Sequence, residues 1–408
     1  GLLCNPSASS TSKPSSSNQC EEADTANLTI ACDALYLCAC AIKGTLADPQ
    51  RLERIDSEAL WDFADRQSIL GCVAMALPLE HMEQSERWQK ALAIYSRRAL
   101  LLDAERNRIF AWLDEQGIRH SQLKGSLMKD YYPALGMRYM ADNDFWFDSQ
   151  HANELRAFME ASGYMCESFN HGVHDVYLKQ PLLNFEPHYS LFSESKYPKW
   201  HRYFRDALSQ APVMESTECE ARMSMEDFYL HHICHATKHL WGSGTGVRAL
   251  VDEMVMLKRF SSTLDWQLIQ QRCKQLDVAV LEAQFRRVAQ LFLDGKVLVS
   301  HDLQEQDNRL LQAMALANTY GTIQQQILNK LDNIRKQTDG SATDRKIRFI
   351  YVWKRLFPPL SDMAEWIPVL RTWPVLYPAM WVFRMARFLI APHRWKKMLS
   401  ELSTIRKH

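Results

Sequence analysis

Apolar positions recur at helical spacing through most of the chain. Residues 22–112 read as helices, with Leu60, Trp61, Phe63, Ala64 and the run 69–77 supplying the apolar stripes. Residues 85–116 form one long amphipathic pattern that stops at Gly117, a residue suited to a helix C-terminus. The character then changes. Residues 118–124 fit a short strand and residues 127–132 a helix, and Pro133 and Gly136 mark a break. Residues 142–148 are polar first and aromatic afterwards, as in a strand that enters a core. Residues 154–162 are helical, and residues 173–179 and 182–192 read as two strands joined by a short turn. The order strand, helix, strand, helix, strand, strand predicts a small α/β unit set between helical regions. From Met225 the helical period returns: residues 228–241, a Gly-rich loop over 242–246, residues 247–260, and further helices to about 330. A polar linker (336–343) and an aromatic helical tail complete the pattern, which contains no internal repeat.

Composition narrows this picture. At 408 residues the chain is long enough for two or three domains. We expect a disordered tail (1–21), an N-terminal helical region (22–112), an α/β core (113–215), a helical domain (216–335) and a C-terminal aromatic helical tail (344–408). Only 14 glycines occur, about half of average usage, which favours long helices over turn-rich sheets. The 48 Lys and Arg balance the 48 Asp and Glu, so no general electrostatic footprint for nucleic acid is present. Ten scattered cysteines show neither disulfide-framework nor metal spacing, and read as reduced core thiols of a cytoplasmic protein. No window reaches the roughly 18 uninterrupted apolar residues of a membrane span. The nearest, residues 366–392, is broken by Arg371, Arg384, Arg387 and three prolines. That argues against integral insertion and leaves a peripheral membrane contact open. The tail's Trp and Phe residues are expected in the core rather than around a ligand.

Candidate chemistry centres on Asp142 and Asp144. On a strand this spacing puts both carboxylates on one face, with Asn143 on the other. Each charge raises the other's pKa, and a divalent cation relieves the repulsion while bridging phosphates. Glu186 lies in a largely apolar run and is the best third carboxylate. Taken alone, Asp-x-Asp also fits a solvated strand end. Lys124-Gly125-Ser126 stands at a strand-to-helix junction, where a glycine admits a phosphate and a hydroxyl can donate to it.

Together these features resemble the polymerase-beta-like nucleotidyltransferase superfamily: a Gly-Ser turn, a helix, a strand with Asp-x-Asp, and a later strand with an acid. More narrowly, the chain is similar to the bacterial uncharacterised nucleotidyltransferase family. The matching features are Leu123-Lys124-Gly125, Tyr132-Pro133, Arg138, Asp142/Asp144, Glu186-Pro187-His188, the helix from His231 to His239, Val251-Asp252-Glu253 and Leu356-Phe357-Pro358. Two departures are the polar Asn143, where the family is usually aliphatic, and a longer gap between Ser126 and Asp142.

The resemblance implies an α+β fold, a small mixed-sheet nucleotidyltransferase core flanked by N-terminal and C-terminal helical regions. It implies nucleotidyl transfer from an NTP to an unidentified hydroxyl or phosphate acceptor. Asp142, Asp144 and Glu186 would be catalytic and hold Mg2+ or Mn2+. Lys124, Gly125, Ser126, Arg138 and Lys238 would bind the nucleotide, with Arg248 a further phosphate candidate. Alternatives are a catalytically silent nucleotide- or partner-binding module of the same fold, and a metal-dependent phosphohydrolase or zinc enzyme. His231, His235 and His239 share one helix face, with three readings open: helix packing, substrate contacts (His235 and His239, with His188 nearby on its strand) or zinc.

Overall fold

The computed structural model describes residues 16–82, 85–317, 343–367 and 369–390, with positions 327, 329, 331, 334 and 335 between them. Most of the expected N-terminal tail, nearly all of the 336–343 linker and the chain beyond 390 lie outside the described residues.

The N-terminal helices are α1 (Ser16–Lys43), α2 (Pro49–Leu52), α3 (Ser57–Arg66), α4 (Leu70–Ala74) and α5 (Ser85–Glu115). Local chemistry sets their ends. Asp56 accepts from the backbone N–H of Glu58 and Ala59, both at 3.0 Å, and so caps α3, a contact generally worth about 1 kcal/mol. Gly117 takes a positive φ of 67° just past α5, and Ile118 N–H reaches back to Leu113 O at 2.8 Å. A left-handed glycine with that long back-bond stops the helix where the amphipathic pattern ends.

The α/β unit is β1 (His120–Gln122), α6 (Lys124–Lys129), β2 (Asn143–Phe147), α7 (Ala152–Ala161), β3 (Met165–Ser168), β4 (Val176–Lys179) and β5 (Leu183–His188). The five strands lie in the order β1-β2-β5-β4-β3. β2 and β5 pair in parallel, and every other pairing is antiparallel. β3 is a strand that the hydrophobic pattern did not predict. It is a short edge strand whose side chains alternate between exposed and half-buried, so no apolar run announces it. The sheet's back face carries Phe145, Phe147, Tyr177 and Phe185 into a core with Ile109, Phe110 and Leu113 of α5 and Leu155 and Met159 of α7. Asn143 shares that face and is fully buried, and its side-chain amide has no hydrogen-bond partner among the described residues.

Six helices follow: α8 (Pro198–Gln210), α9 (Met225–Trp241), α10 (Arg248–Phe260), α11 (Trp266–Gln275), α12 (Ala279–Leu293) and α13 (Glu305–Leu316). α10 is buried along Leu250–Leu257 and packs against α12 and α1. The helices on either side of the sheet thus share one apolar core. Gln67, fully buried, ties them together: its amide nitrogen donates to Ala317 O, and its oxygen accepts from Val247 N–H at 2.8 Å. The fold is α+β, a small mixed sheet flanked by helices.

Two expectations need correction. The stretch Thr25–Lys43 of α1 is long and apolar enough to cross a membrane by length and composition. Asp33 and the threonines disguised it in a search for unbroken apolar runs. Here 61% of it is buried, against α10, α12 and α13. Second, several Trp and Phe residues of the C-terminal helices lie at the surface rather than in the core. Phe349, Trp353, Trp373 and Phe383 are each more than half exposed, and Phe349, Trp353, Phe357 and Trp381 stack on one another in sequence.

Candidate active site

The front face of the sheet builds the site. In the parallel ladder Asp144 stands opposite Glu186, and Trp146 opposite His188. Because side chains alternate, Glu186 and His188 point to the same side as Asp144. Asp142 immediately precedes β2, two residues before Asp144. The expected carboxylate trio is therefore brought to one edge of one face.

Asp144 is almost fully buried, and both of its oxygens are engaged. Lys124 Nζ lies 3.1 Å from Oδ2, and His188 Nε2 lies 3.0 Å from Oδ1. Burial works against its charge, but Lys124 and the His188 hydrogen bond outweigh that and hold the carboxyl well below the usual range. Lys124 gains correspondingly: burial opposes its charge, yet Asp144 and Asp142 lift its pKa above the ordinary value. The other two carboxyls behave in the opposite way. Burial and then the Asp144 charge raise Asp142. Burial, then Asp144 and Asp142, push Glu186 up to about 7. Two half-buried carboxyls that resist ionisation beside a buried third that is ionised form a donor set suited to a hard divalent cation.

α9 closes the front of the site. Lys124 Nζ donates to His235 Nε2 at 3.0 Å, and His239 Nε2 lies 3.1 Å from the same nitrogen. An ammonium can only donate, so His235 Nε2 is the acceptor towards Lys124. Burial and the Lys124 charge press His235 well below its ordinary pKa, and burial and Lys238 bring His239 down to about 3. His231 is fully buried and meets Phe192 and Phe204 edge-on at 5.7 and 5.4 Å. One face of α9 thus does two jobs: His231 packs, and His235 with His239 orients the lysine.

Other residues sit differently from the expectation. The Ser126 hydroxyl has one proton and spends it on Leu123 O at 2.9 Å, in a fully buried position, so it is not aimed at a phosphate. Gly125 is buried in the first turn of α6, and a Cβ there would meet Arg138 Nη1 at 3.3 Å. Arg138 is occupied: its Nε and Nη2 reach the two carboxylate oxygens of Asp252 at 2.8 and 3.0 Å, and Nη1 donates to Gly125 O at 3.4 Å. The Tyr132 hydroxyl adds a bond to Asp252 at 2.7 Å. These contacts clamp the Lys124 turn to α10. Lys238 differs: among the described residues it has no hydrogen bond or ion pair, and its ammonium lies 6.0 Å from the Phe192 ring centre. Burial and the Lys124 charge bring it down to about 8, with Asp144 and Glu186 opposing.

One residue escaped the sequence reading. His174 bridges to His188 in an antiparallel pair, and its Nε2 lies 3.4 Å from Glu186 Oε2. Burial and then His188 lower its pKa to about 4. A signal existed: the turn at Gln180-Pro181 pairs Lys179 with Leu183, and that register carried back along the hairpin puts His174 opposite His188.

No curated protein and no solved structure matches the chain. A family model does, over residues 53–294, which take in the sheet, the Lys124 turn and helices α9 to α12. The chain belongs to the uncharacterised nucleotidyltransferase family.

Proposed function

We propose that the chain transfers a nucleoside monophosphate from an NTP to a hydroxyl or phosphate acceptor, at the front face of β2 and β5. The observation that carries this reading is the parallel register of Asp144 with Glu186, with Asp142 two residues before. Asp142, Asp144 and Glu186 would hold Mg2+ or Mn2+. When bound, such a cation supplies charge neutralisation at the triphosphate and at the leaving pyrophosphate. Lys124 and Lys238 bring positive charge to the same face and suit the phosphates. In place of holding the cation, Glu186 would accept a proton from the attacking hydroxyl. Arg138, Gly125 and Ser126 position the Lys124 turn. The eight cysteines from Cys32 to Cys273 are free thiols, which fits a reducing cytoplasm.

A second reading, a silent nucleotide-binding module, draws on one observation: Lys124 and His188 already occupy both oxygens of Asp144. Incubation of the full chain with each labelled NTP, Mg2+ and a cell extract separates the two. We expect pyrophosphate release with label passing to an acceptor. In the double variant Asp142→Asn/Asp144→Asn we expect a loss of about a hundredfold or more, the usual scale for deleting electrostatic stabilisation of a transition state. Undiminished turnover in the double variant would sink the proposal. NTP binding without pyrophosphate release would favour the module.

A further inference from the structure

We infer that His174, Glu186 and His188 form a site for a divalent transition-metal ion, separate in chemistry from the aspartate pair. One ligand atom from each lies within 4.8 Å of the others. Asp142 and Asp144 are not part of that converging group. Two imidazoles and one carboxylate are a nitrogen-rich set. Imidazole suits zinc and its first-row neighbours, whereas Mg2+ selects oxygen ligands in a near-ideal octahedron.

The spacing fits such an ion. Metal–ligand bonds of about 2.0–2.1 Å in tetrahedral array place neighbouring ligand atoms about 3.3 Å apart. His174 Nε2 and Glu186 Oε2 already stand at 3.4 Å. The remaining separations, none above 4.8 Å, close with contractions of at most about 1.5 Å, within reach of ring rotation.

The backbone holds the donors in advance. Asp175 N–H bonds Pro187 O at 3.0 Å and Tyr189 N–H bonds Val173 O at 2.9 Å, so the segment bearing His174 is laced to the end of β5. The buried Asp175 carboxylate accepts from Asn170 N–H at 2.6 Å and closes the preceding loop. His188 turns Nδ1 towards Ser190 O at 3.4 Å, which leaves Nε2 for a ligand. That same Nε2 is the atom 3.0 Å from Asp144 Oδ1. Capture of Nε2 by the metal releases the Nε2 proton to solvent, replaces this hydrogen bond with a metal bond and frees an Asp144 oxygen. The ion would thereby prepare the aspartate pair for its own cation, with Glu186 common to both sets of ligands.

Binding can be read without any nucleotide, so the result is independent of the transferase reading. The full chain, stripped with a chelator, is titrated with Co2+ and followed by visible absorption. We expect about one equivalent to bind with an intense band, as nitrogen-containing sites of low coordination give. Zn2+ should abolish the band, and a large excess of Mg2+ should leave it. His174→Ala, and His174→Gln as a closer match in size, should lose the band, whereas Asp142→Asn should keep it. Circular dichroism of each variant monitors the fold. Absence of a band in the wild type, its persistence in both His174 variants, or its displacement by Mg2+ would overturn the assignment.

Discussion

Asp252→Ala is expected to destabilise the protein by about 3–5 kcal/mol, the usual cost of removing one partner of a buried ion pair. Arg138 places two of its nitrogens on the Asp252 carboxylate, and its side chain is only 9% exposed. Without Asp252 the guanidinium keeps its charge in a buried place, and the Tyr132 hydroxyl loses its acceptor as well. Urea unfolding measures the loss. Asp252→Asn should cost less, because an amide oxygen still accepts from Arg138 and Tyr132. Activity should fall further than stability alone explains, since Arg138 also holds Gly125 O and with it the turn that aims Lys124 at Asp144. Equal unfolding curves for wild type and Asp252→Ala would show that the clamp adds nothing to the fold.

Glu186→Gln should do the reverse, and only at high pH. Folding raises the Glu186 carboxyl from its ordinary 4.5 to about 7. Between those values the folded chain keeps a proton that the unfolded chain releases, so stability falls as pH rises through that window. Above it the full cost is present, about 3 kcal/mol for a displacement of that size. Glutamine has no charge to lose. The variant should therefore match the wild type near pH 4 and exceed it by up to about 3 kcal/mol near pH 8, in chelator. Added Mg2+ should stabilise the wild type more than the variant, because a cation removes the penalty on an ionised carboxylate. A variant that is destabilised equally at both pH values would show that Glu186 is not held against its charge.

Much of this site could be read from one-dimensional spacing. Asp142 and Asp144 depend on a two-residue period, and Glu186 stood out as a charge inside an apolar run. Residues that act across distance were harder. Arg138 read as a phosphate contact through the family resemblance, in which an arginine stands shortly before Asp-x-Asp. Its partner lies 114 positions away, on a helix whose buried aspartate no local period explains. Ser126 was hard to place for the opposite reason: its partner, Leu123 O, is very near, since a serine in a first helical turn commonly turns back on its own backbone. The histidine face of α9 was visible by its four-residue period, but its division of labour depends on where Lys124 and Phe192 arrive.

The parallel pairing of β2 with β5 has a consequence for how the chain assembles. Antiparallel neighbours can form as the chain folds back at once, but a parallel pair waits for a crossover, here α7, β3 and β4. Asp144 therefore leaves the ribosome well before Glu186 exists to stand beside it. Lys124 precedes it by only twenty residues and reaches its Oδ2. The lysine lies in the same strand and turn segment as the aspartate, whereas the third carboxylate arrives across the crossover and the Asp252 that clamps the lysine turn follows later still. The charges of the site are balanced only once all three segments have come together.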